Sequence, residues 1–246
     1  MKLYVLPTEK ACDGICSFCI TKFRKVSSKT FLDLNPLAEW LNRLKVDKIE
    51  LTGGGEPTLH PNISEIISCC AAKAPTNMYT HGAHLKKIEN VEKLSTLCVS
   101  IAHYDMKKNK QIMGVCPDLE FIRSLSIPVK FSLLLHRSGI HDKEGLLRYL
   151  QWASGFAQRV VVRQIFEYDY GSALSGEFVS TQKMFDELEI ESRSVTRQGN
   201  PVFSVGKLEV EMELRSCACE MNNPVLHADG KLYQGWSRDP YDSDRK

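Results

Sequence analysis

Three cysteines within eight residues constrain this chain more than any other feature. Cys12, Cys16 and Cys19 have C-x3-C-x2-C spacing and follow a short apolar segment at residues 3–6 that is typical of a β-strand. Thiolates this close together suit an iron–sulfur cluster, and three of them leave one iron of a four-iron cluster without a protein ligand. Catalytic metal sites keep such an open position. The spacing therefore predicts a tightly wrapped ligand loop, in which Gly14 is free to take a positive φ.

A structural zinc loop or three packed cysteines would also explain this spacing. Zinc fingers usually combine two C-x2-C pairs, or one such pair with two histidines. The later pair Cys217-x-Cys219 is too tightly spaced to be a usual partner. A non-catalytic iron–sulfur or zinc-binding module therefore stays open beside the catalytic cluster.

A glycine-rich run with one carboxylate forms the second motif. The sequence TGGGEP at residues 52–57 follows a strand-like segment at 48–51. Glycines let backbone carbonyls approach an ammonium group closely, and the carboxylate of Glu56 can complete the cage. Alone, such a run is more often a turn before a helix, and no Lys-Ser/Thr follows it, which argues against a phosphate-binding loop. Two motifs that each end a strand are much more specific together.

Together the two motifs resemble those of the radical S-adenosylmethionine (SAM) superfamily. The resemblance covers most of residues 1–190. It implies an α/β fold, a partial (β/α)6 TIM-like barrel with a small C-terminal β-ribbon extension. It also implies that Cys12, Cys16 and Cys19 bind three irons of a [4Fe–4S] cluster, with the ring of Phe18 beside it.

The same resemblance implies that SAM is the second cofactor. SAM would chelate the fourth iron, and its amino group would be bound by the second motif, which comprises Gly53, Gly54, Gly55 and Glu56. In this superfamily one electron from the reduced cluster cleaves SAM, and the 5′-deoxyadenosyl radical abstracts hydrogen from an organic substrate. The implied function is an oxygen-sensitive enzyme of cofactor, nucleoside or natural-product biosynthesis or modification. A peptide- or protein-modifying enzyme and a glycyl-radical activase remain alternatives.

Later strand-like segments supply weaker candidates. The segment from residue 99 to 114 resembles the "VSIDG…IRG" segment of the branch that holds the molybdenum-cofactor GTP cyclase and the SPASM/twitch enzymes. That resemblance implies that Ser100 lies near the SAM ribose or carboxylate. His103 and Tyr104 replace the usual acidic-glycine pair and are candidates for the substrate site, although a loop histidine without a chemical role is as compatible with the sequence.

Residues at the C-terminal ends of barrel strands face the site. By that rule four more residues are candidate SAM contacts: Ser132, Arg137, Arg163 and Ile165. The ordinary alternation of exposed polar residues along a strand is the competing explanation.

Helix patterns lie between these strands. Asn35 is expected to cap the first helix with Pro36 at its first position, and another helix is expected near residues 84–93. Cys70 and Cys98 lie on apolar faces and are expected to pack in the core.

Residues 192–246 differ from the rest and are expected to form a β-ribbon cap and a frayed tail, after a first domain at 1–191. A hairpin is predicted to turn at Asp229-Gly230. The corresponding hairpin of SPASM/twitch enzymes supplies cysteines to an auxiliary cluster, but here no cysteine follows the turn. Cys217 and Cys219 are too few for a second four-iron cluster. Simple packing, a metal site with His227 or hydrogen donation to a substrate radical remain open for them.

Composition limits the partners. A net charge of +2 over 246 residues shows no nucleic-acid footprint, and no apolar run reaches membrane-spanning length. Nine cysteines without a signal peptide favour a reducing, cytoplasmic location. A small-molecule or peptide substrate is expected, and no leader-peptide-binding domain precedes Cys12, which disfavours a ribosomal peptide. A flavodoxin or ferredoxin is expected to deliver the electron at basic residues of the cysteine loop, namely Lys22, Arg24, Lys25 and Lys29.

Overall fold

Twelve strands form one open sheet in the part of the chain that the computed structural model describes, which is residues 1–22, 29–165, 171–214, 223–235 and 239–240. The strands are β1 (Lys2–Val5), β2 (Lys48–Leu51), β3 (Thr76–Thr80), β4 (Thr96–Ser100), β5 (Val129–Leu134), β6 (Arg159–Arg163), β7 (Ser194–Val195), β8 (Pro201–Val205), β9 (Leu208–Met212), β10 (Pro224–Leu226), β11 (Leu232–Gln234) and β12 (Asp239–Pro240). Their order in the sheet is β12-β11-β10-β1-β2-β3-β4-β5-β6-β9-β8-β7.

Strands β1 to β6 are adjacent in sequence order and all parallel. The helices in the described residues are α1 (Leu34–Arg43), α2 (Ile63–Lys73), α3 (Met106–Met113), α4 (Leu119–Ser124), α5 (Lys143–Ala153) and α6 (Thr181–Leu188). None of these helices is long and apolar enough to cross a membrane. Six parallel strands in an open sheet confirm the predicted α/β partial barrel, and their C-terminal ends bring the loops that follow them to one edge.

Strand β5 shows how the two faces of the sheet differ. Its residues alternate between buried and half-buried positions. Val129, Phe131 and Leu133 join the apolar core together with Leu146 and Leu150 of α5. Since side chains alternate along a strand, the remaining residues of β5 face the other side of the sheet, away from the helices.

The apolar faces of α2 and β4 are confirmed. Ile63, Ile66, Ile67 and Cys70 of α2 are buried, as is Cys98 of β4. Asp142 caps α5 and accepts a hydrogen bond from the backbone N–H of Gly145. These helices therefore begin and pack as their sequence patterns indicate.

Two helix predictions are wrong. α1 begins at Leu34 with Asp33 at its N-cap, so Asn35 and Pro36 lie inside its first turn. Proline is tolerated throughout that turn, so its position alone does not fix the first residue.

The expected helix near residues 84–93 is two short 3-10 turns, Leu85–Lys87 and Val91–Lys93. The buried apolar residues here recur every third position, at Leu85, Ile88, Val91 and Leu94. Side chains three apart stack in a 3-10 helix, whereas an α-helix would rotate them off one face.

The chain after residue 192 extends both edges of the sheet. β9 pairs in parallel with β6, and β8 pairs antiparallel with β9. At the other edge β10 pairs in parallel with β1, and β11 returns antiparallel to β10. The predicted hairpin turn at Asp229-Gly230 joins these last two strands, with Gly230 at a φ of +78°. Cys217 and Cys219 lie outside the described residues.

Candidate cluster and cofactor site

The cysteine loop begins directly after β1 and folds around Gly14. The Sγ of Cys12 accepts a hydrogen bond from the backbone N–H of Gly14 at 3.3 Å. A Cβ at Gly14 would lie 3.3 Å from the Sγ of Cys12 and 3.8 Å from that of Cys16. A side chain at Gly14 would therefore crowd the sulfur of Cys12. Gly14 does not adopt the positive φ that the sequence suggested, since it is not among the residues with positive φ.

The end of α3 supports this loop from one side. The backbone N–H of Ile15 donates to the carbonyl of Met113 at 2.9 Å. Gly114 ends the helix at a φ of +81°, and a Cβ there would lie 2.8 Å from the side chain of Ile15. On the other side, Lys22 Nζ donates to the carbonyl of Cys16 at 2.6 Å. The loop is therefore held from both sides by hydrogen bonds to its backbone.

The chemistry of the three thiols fits an iron–sulfur cluster. Cys12, Cys16 and Cys19 form no disulfide. Burial raises the pKa of the Cys12 thiol, and burial with the neighbouring Cys19 and Cys12 sulfurs raises the pKa of Cys16 to about 11. Thiolates that repel one another in a partly desolvated loop are stabilised by a cationic metal centre. The donor set is thus suited to iron.

The glycine-rich run lies against the start of the cysteine loop. Gly54 N–H donates to the carbonyl of Thr8, and Gly54 in turn accepts from the N–H of Lys10 at 3.0 Å. Glu56 N–H donates to the carbonyl of Ala11 at 2.7 Å. A Cβ at Gly55 would lie 2.2 Å from that same carbonyl oxygen. The two motifs are therefore joined directly, and a side chain at Gly55 would force them apart.

Glu56 is buried, with 3% of its surface exposed, and its carboxylate already has several donors. Oε1 accepts from Thr58 Oγ1 at 2.7 Å and from Thr80 Oγ1 at 2.5 Å. Oε2 accepts from the backbone N–H of His81 at 2.9 Å. These bonds fix the carboxylate between the glycine run and the end of β3. A role of Glu56 in binding an ammonium group stays a prediction, for which Oε2 retains acceptor capacity.

Sequence reasoning missed a histidine–aspartate cluster beside the cysteines. The Nε2 atoms of His81 and His84 each lie 2.8 Å from an oxygen of Asp13. Although burial opposes it, these hydrogen bonds lower the pKa of Asp13. Cys12 Sγ, an Asp13 oxygen and a His81 nitrogen all lie within 4.8 Å of one another. The available signal was an aspartate inside the cysteine motif together with a histidine at the end of β3.

The serine candidates lie on β4 and β5, and the aromatic candidates lie in loops. Ser100 ends β4 and is in register with Ser132 of β5, and both are half-buried. The ring of Phe18 lies 4.8 Å from that of the buried His136, which follows β5. The rings of His103 and Tyr104 pack together at 4.4 Å.

The remaining three candidate SAM contacts are Arg163, Ile165 and Arg137. Arg163 forms an ion pair with Glu213 at 2.9 Å, and Ile165 is buried. Arg137 is exposed and lines a groove with α6 residues, none of which belongs to either motif. SAM contacts by these residues stay predictions.

The basic residues of the loop are only partly described. Lys22 binds loop carbonyls, and Lys29 Nζ pairs with Asp33 at 2.9 Å. Arg24 and Lys25 lie outside the described residues. The predicted reductant surface is therefore not defined by the structure.

Comparison with known proteins supports the fold. The chain matches no family model and no curated protein. Among solved structures it resembles Streptococcus suis SuiB bound to S-adenosylmethionine, with a TM-score of 0.66 and 15% identity over 94% of this chain and 59% of that one. SuiB bound to precursor peptide SuiA gives a TM-score of 0.63 and 20% identity over 76% of this chain and 45% of that one. Native anSMEcpe with bound AdoMet gives a TM-score of 0.56 and 13% identity, covering 95% of this chain and 73% of that one. The chain thus spans about half the length of the SuiB chains.

Proposed function

We propose that this chain is a radical SAM enzyme that binds a [4Fe–4S] cluster and SAM. The observation that carries the proposal is the direct bonding of the two motifs, in which the Glu56 N–H donates to the carbonyl of Ala11 at 2.7 Å, next to Cys12. Cofactors that react with each other must be held side by side, and the bonded motifs would hold them so. The likeness to folds that were solved with SAM supports the same assignment.

Each part of the chain has a defined task in this proposal. Cys12, Cys16 and Cys19 would hold the cluster, and residues 53–56 would bind the methionine end of SAM. When bound, the two cofactors supply reductive cleavage of SAM and hydrogen abstraction from the substrate. The task of the chain itself would be to orient them. The half-buried serines Ser100 and Ser132 are the proposed polar contacts for SAM on β4 and β5.

The substrate is proposed to be a small molecule or a peptide. The likeness to SuiB with its precursor peptide supports the peptide alternative, and it extends over 45% of the SuiB chain. We retain the division at residue 191 and the kinship with the SPASM/twitch branch as proposals. We also propose that the protein works in a reducing compartment and receives its electron from a flavodoxin or ferredoxin.

Anaerobic reconstitution tests the function. The wild-type chain should bind about four irons and, after reduction, convert SAM to 5′-deoxyadenosine. Alanine at Cys12, Cys16 or Cys19 should abolish both, because two thiolates hold the cluster too weakly. Cys69→Ala is the matched control, since Cys69 is an exposed free cysteine on α2. A wild-type protein that binds one zinc and leaves SAM intact would instead support the metal-module alternative.

A further inference from the structure

His81 touches both motifs at once. It follows β3 at the C-terminal edge of the sheet. Its ring Nε2 lies 2.8 Å from Oδ1 of Asp13, which stands between the first two cysteines. Its backbone N–H donates to Oε2 of Glu56 at 2.9 Å, and its Nε2 is 3.5 Å from the same oxygen. One residue therefore links the cysteine loop to the glycine–glutamate segment.

The surroundings of His81 leave its ring one orientation. The side chain is 6% exposed, and its Nδ1 accepts a hydrogen bond from the backbone N–H of Ala83 at 3.2 Å. That bond places the ring hydrogen on Nε2, facing Asp13. The next residue, Gly82, has a φ of +80°, and a Cβ there would lie 2.9 Å from Val99. The turn that follows His81 therefore requires a glycine at this position.

His84 provides a natural comparison. Its Nε2 lies 2.8 Å from the other oxygen of Asp13, at a more exposed position with 22% of the side chain accessible. The carboxylate of Glu56, however, accepts its hydrogen bonds from Thr58, Thr80 and His81. The two histidines therefore share the loop contact and differ in the contact with the glutamate.

We infer that His81 is a positioning residue that sets the cysteine loop relative to the SAM-binding segment, an inference that rests on the proposed function. Through Asp13 the ring fixes the part of the loop that carries Cys12. Through its N–H it fixes the Glu56 carboxylate. The three cysteines that would hold the cluster are thereby kept at a fixed position relative to the segment that would bind the methionine end of SAM. Such orientation is effective only when both partners are held rigidly.

Four variants separate this role from loop stability. His81→Asn keeps the Nδ1-type acceptor but does not reach Asp13, and His81→Gln restores a donor at the Nε2 position. His84→Asn is the matched control, and Asp13→Ala removes the other end of the bond. The measurements on reconstituted protein are iron per chain, SAM affinity by anaerobic calorimetry, and the change that SAM causes in the electron paramagnetic resonance (EPR) spectrum of the reduced cluster.

If His81 connects the cysteine loop to the glycine–glutamate segment, the four variants should give different results. His81→Asn should retain its iron, bind SAM about tenfold more weakly, and lose or broaden the SAM-induced EPR change. His81→Gln should recover both SAM readouts, and His84→Asn should resemble the wild type. Asp13→Ala should reproduce the SAM defect of His81→Asn, and because Asp13 is 41% exposed it also serves if His81→Asn does not fold.

Three outcomes would overturn the inference. SAM affinity and EPR response could be unchanged in both His81→Asn and Asp13→Ala. His84→Asn could be as defective as His81→Asn, which would indicate general loop support. Iron could be lost from His81→Asn alone, which would make His81 a metal ligand. A wild-type protein that binds no cluster or no SAM would contradict the proposed function itself, so the two failures are distinguishable.

Discussion

Glu56 is a buried carboxylate at the centre of the candidate site. Four hydrogen bonds from Thr58, Thr80 and His81 hold a carboxylate that is almost completely buried. We expect Glu56→Ala to weaken SAM binding while the cluster remains, because the three thiolates are unaffected. It should also lower the free energy of unfolding by about 1–3 kcal/mol, since buried donors lose their acceptor. Calorimetry with SAM and denaturant unfolding measure the two effects.

Glu65→Ala, at an exposed position of α2, is the control for that experiment. An unchanged SAM affinity in Glu56→Ala would refute the binding role. The lower unfolding free energy would remain as evidence of a structural role alone.

His60 gives the protein a predictable response to acid. Burial lowers its pKa, and its Nδ1 accepts a hydrogen bond from the N–H of Asn62 that protonation would break. A histidine pKa that is lower in the folded state than in the unfolded state means that the unfolded chain binds more protons between the two values. The contribution of neutral His60 to the free energy of unfolding is therefore fully present above about pH 6.5. It is lost as the pH falls below that value.

We expect the unfolding free energy of the apoprotein to fall between about pH 7 and 5, by at most roughly 1.4 kcal/mol per pH unit for this group. His60→Gln should flatten that profile. His103 and His136 also have pKa values that burial lowers, so part of the slope should persist in the variant. An identical slope in His60→Gln and wild type would contradict the assignment to His60.

At the scale of elements, the glycine run and the cysteine loop act as one unit. A Cβ at Gly55 would lie 2.2 Å from the Ala11 carbonyl oxygen, whereas a Cβ at Gly176 would meet nothing within 4 Å. We expect Gly55→Ala to separate the two segments, so that less iron is retained after reconstitution and gel filtration. Gly176→Ala should retain as much iron as the wild type. Equal iron in both variants would show that the junction does not matter for the cluster.

The loop after the cysteines belongs to the same scale. Lys22 binds the carbonyl of Cys16, so reversing its charge would damage the loop itself. We expect an acidic flavodoxin or ferredoxin to dock at the other basic residues of this loop. The variant that tests this docking is Arg24→Glu/Lys25→Glu/Lys29→Glu. Reduction by such a partner should slow and lose its dependence on ionic strength. Lys73→Glu, at an exposed position of α2, is the control. Reduction rates that change neither with ionic strength nor with charge reversal would exclude docking here.

Sequence reasoning succeeded where a physical requirement is local. The strands and the buried face of α2 follow from periodicity, and the two motifs follow from spacing. It failed at Leu85–Lys87, where apolar residues that recur every third position were read as an α-helix and form a 3-10 turn. It could not find the contact between Asp13 and His81, because hydrogen bonds between residues 68 positions apart leave no periodic signal.

The whole molecule also constrains the metal count. The last strands lie at both edges of the sheet, and Cys217 and Cys219 are outside the described residues. From the shortage of thiolates we expect about four irons per chain. The double variant Cys217→Ala/Cys219→Ala should bind as much iron as the wild type. About eight irons, with the excess lost in the double variant, would demonstrate an auxiliary cluster.

The pairing of β10 with β1 has a consequence for the order in which the protein matures. Glu9, just before the cysteine loop, is 1% exposed, and its carboxylate binds His227 Nδ1 at 3.1 Å and the N–H of Ala228. The ribosome makes the cysteine loop first and these supporting residues more than two hundred positions later. A nascent chain therefore has its three cysteines before it has the environment that steadies them. On the proposed function, we therefore expect iron to be taken up only after the last strands have paired with β1.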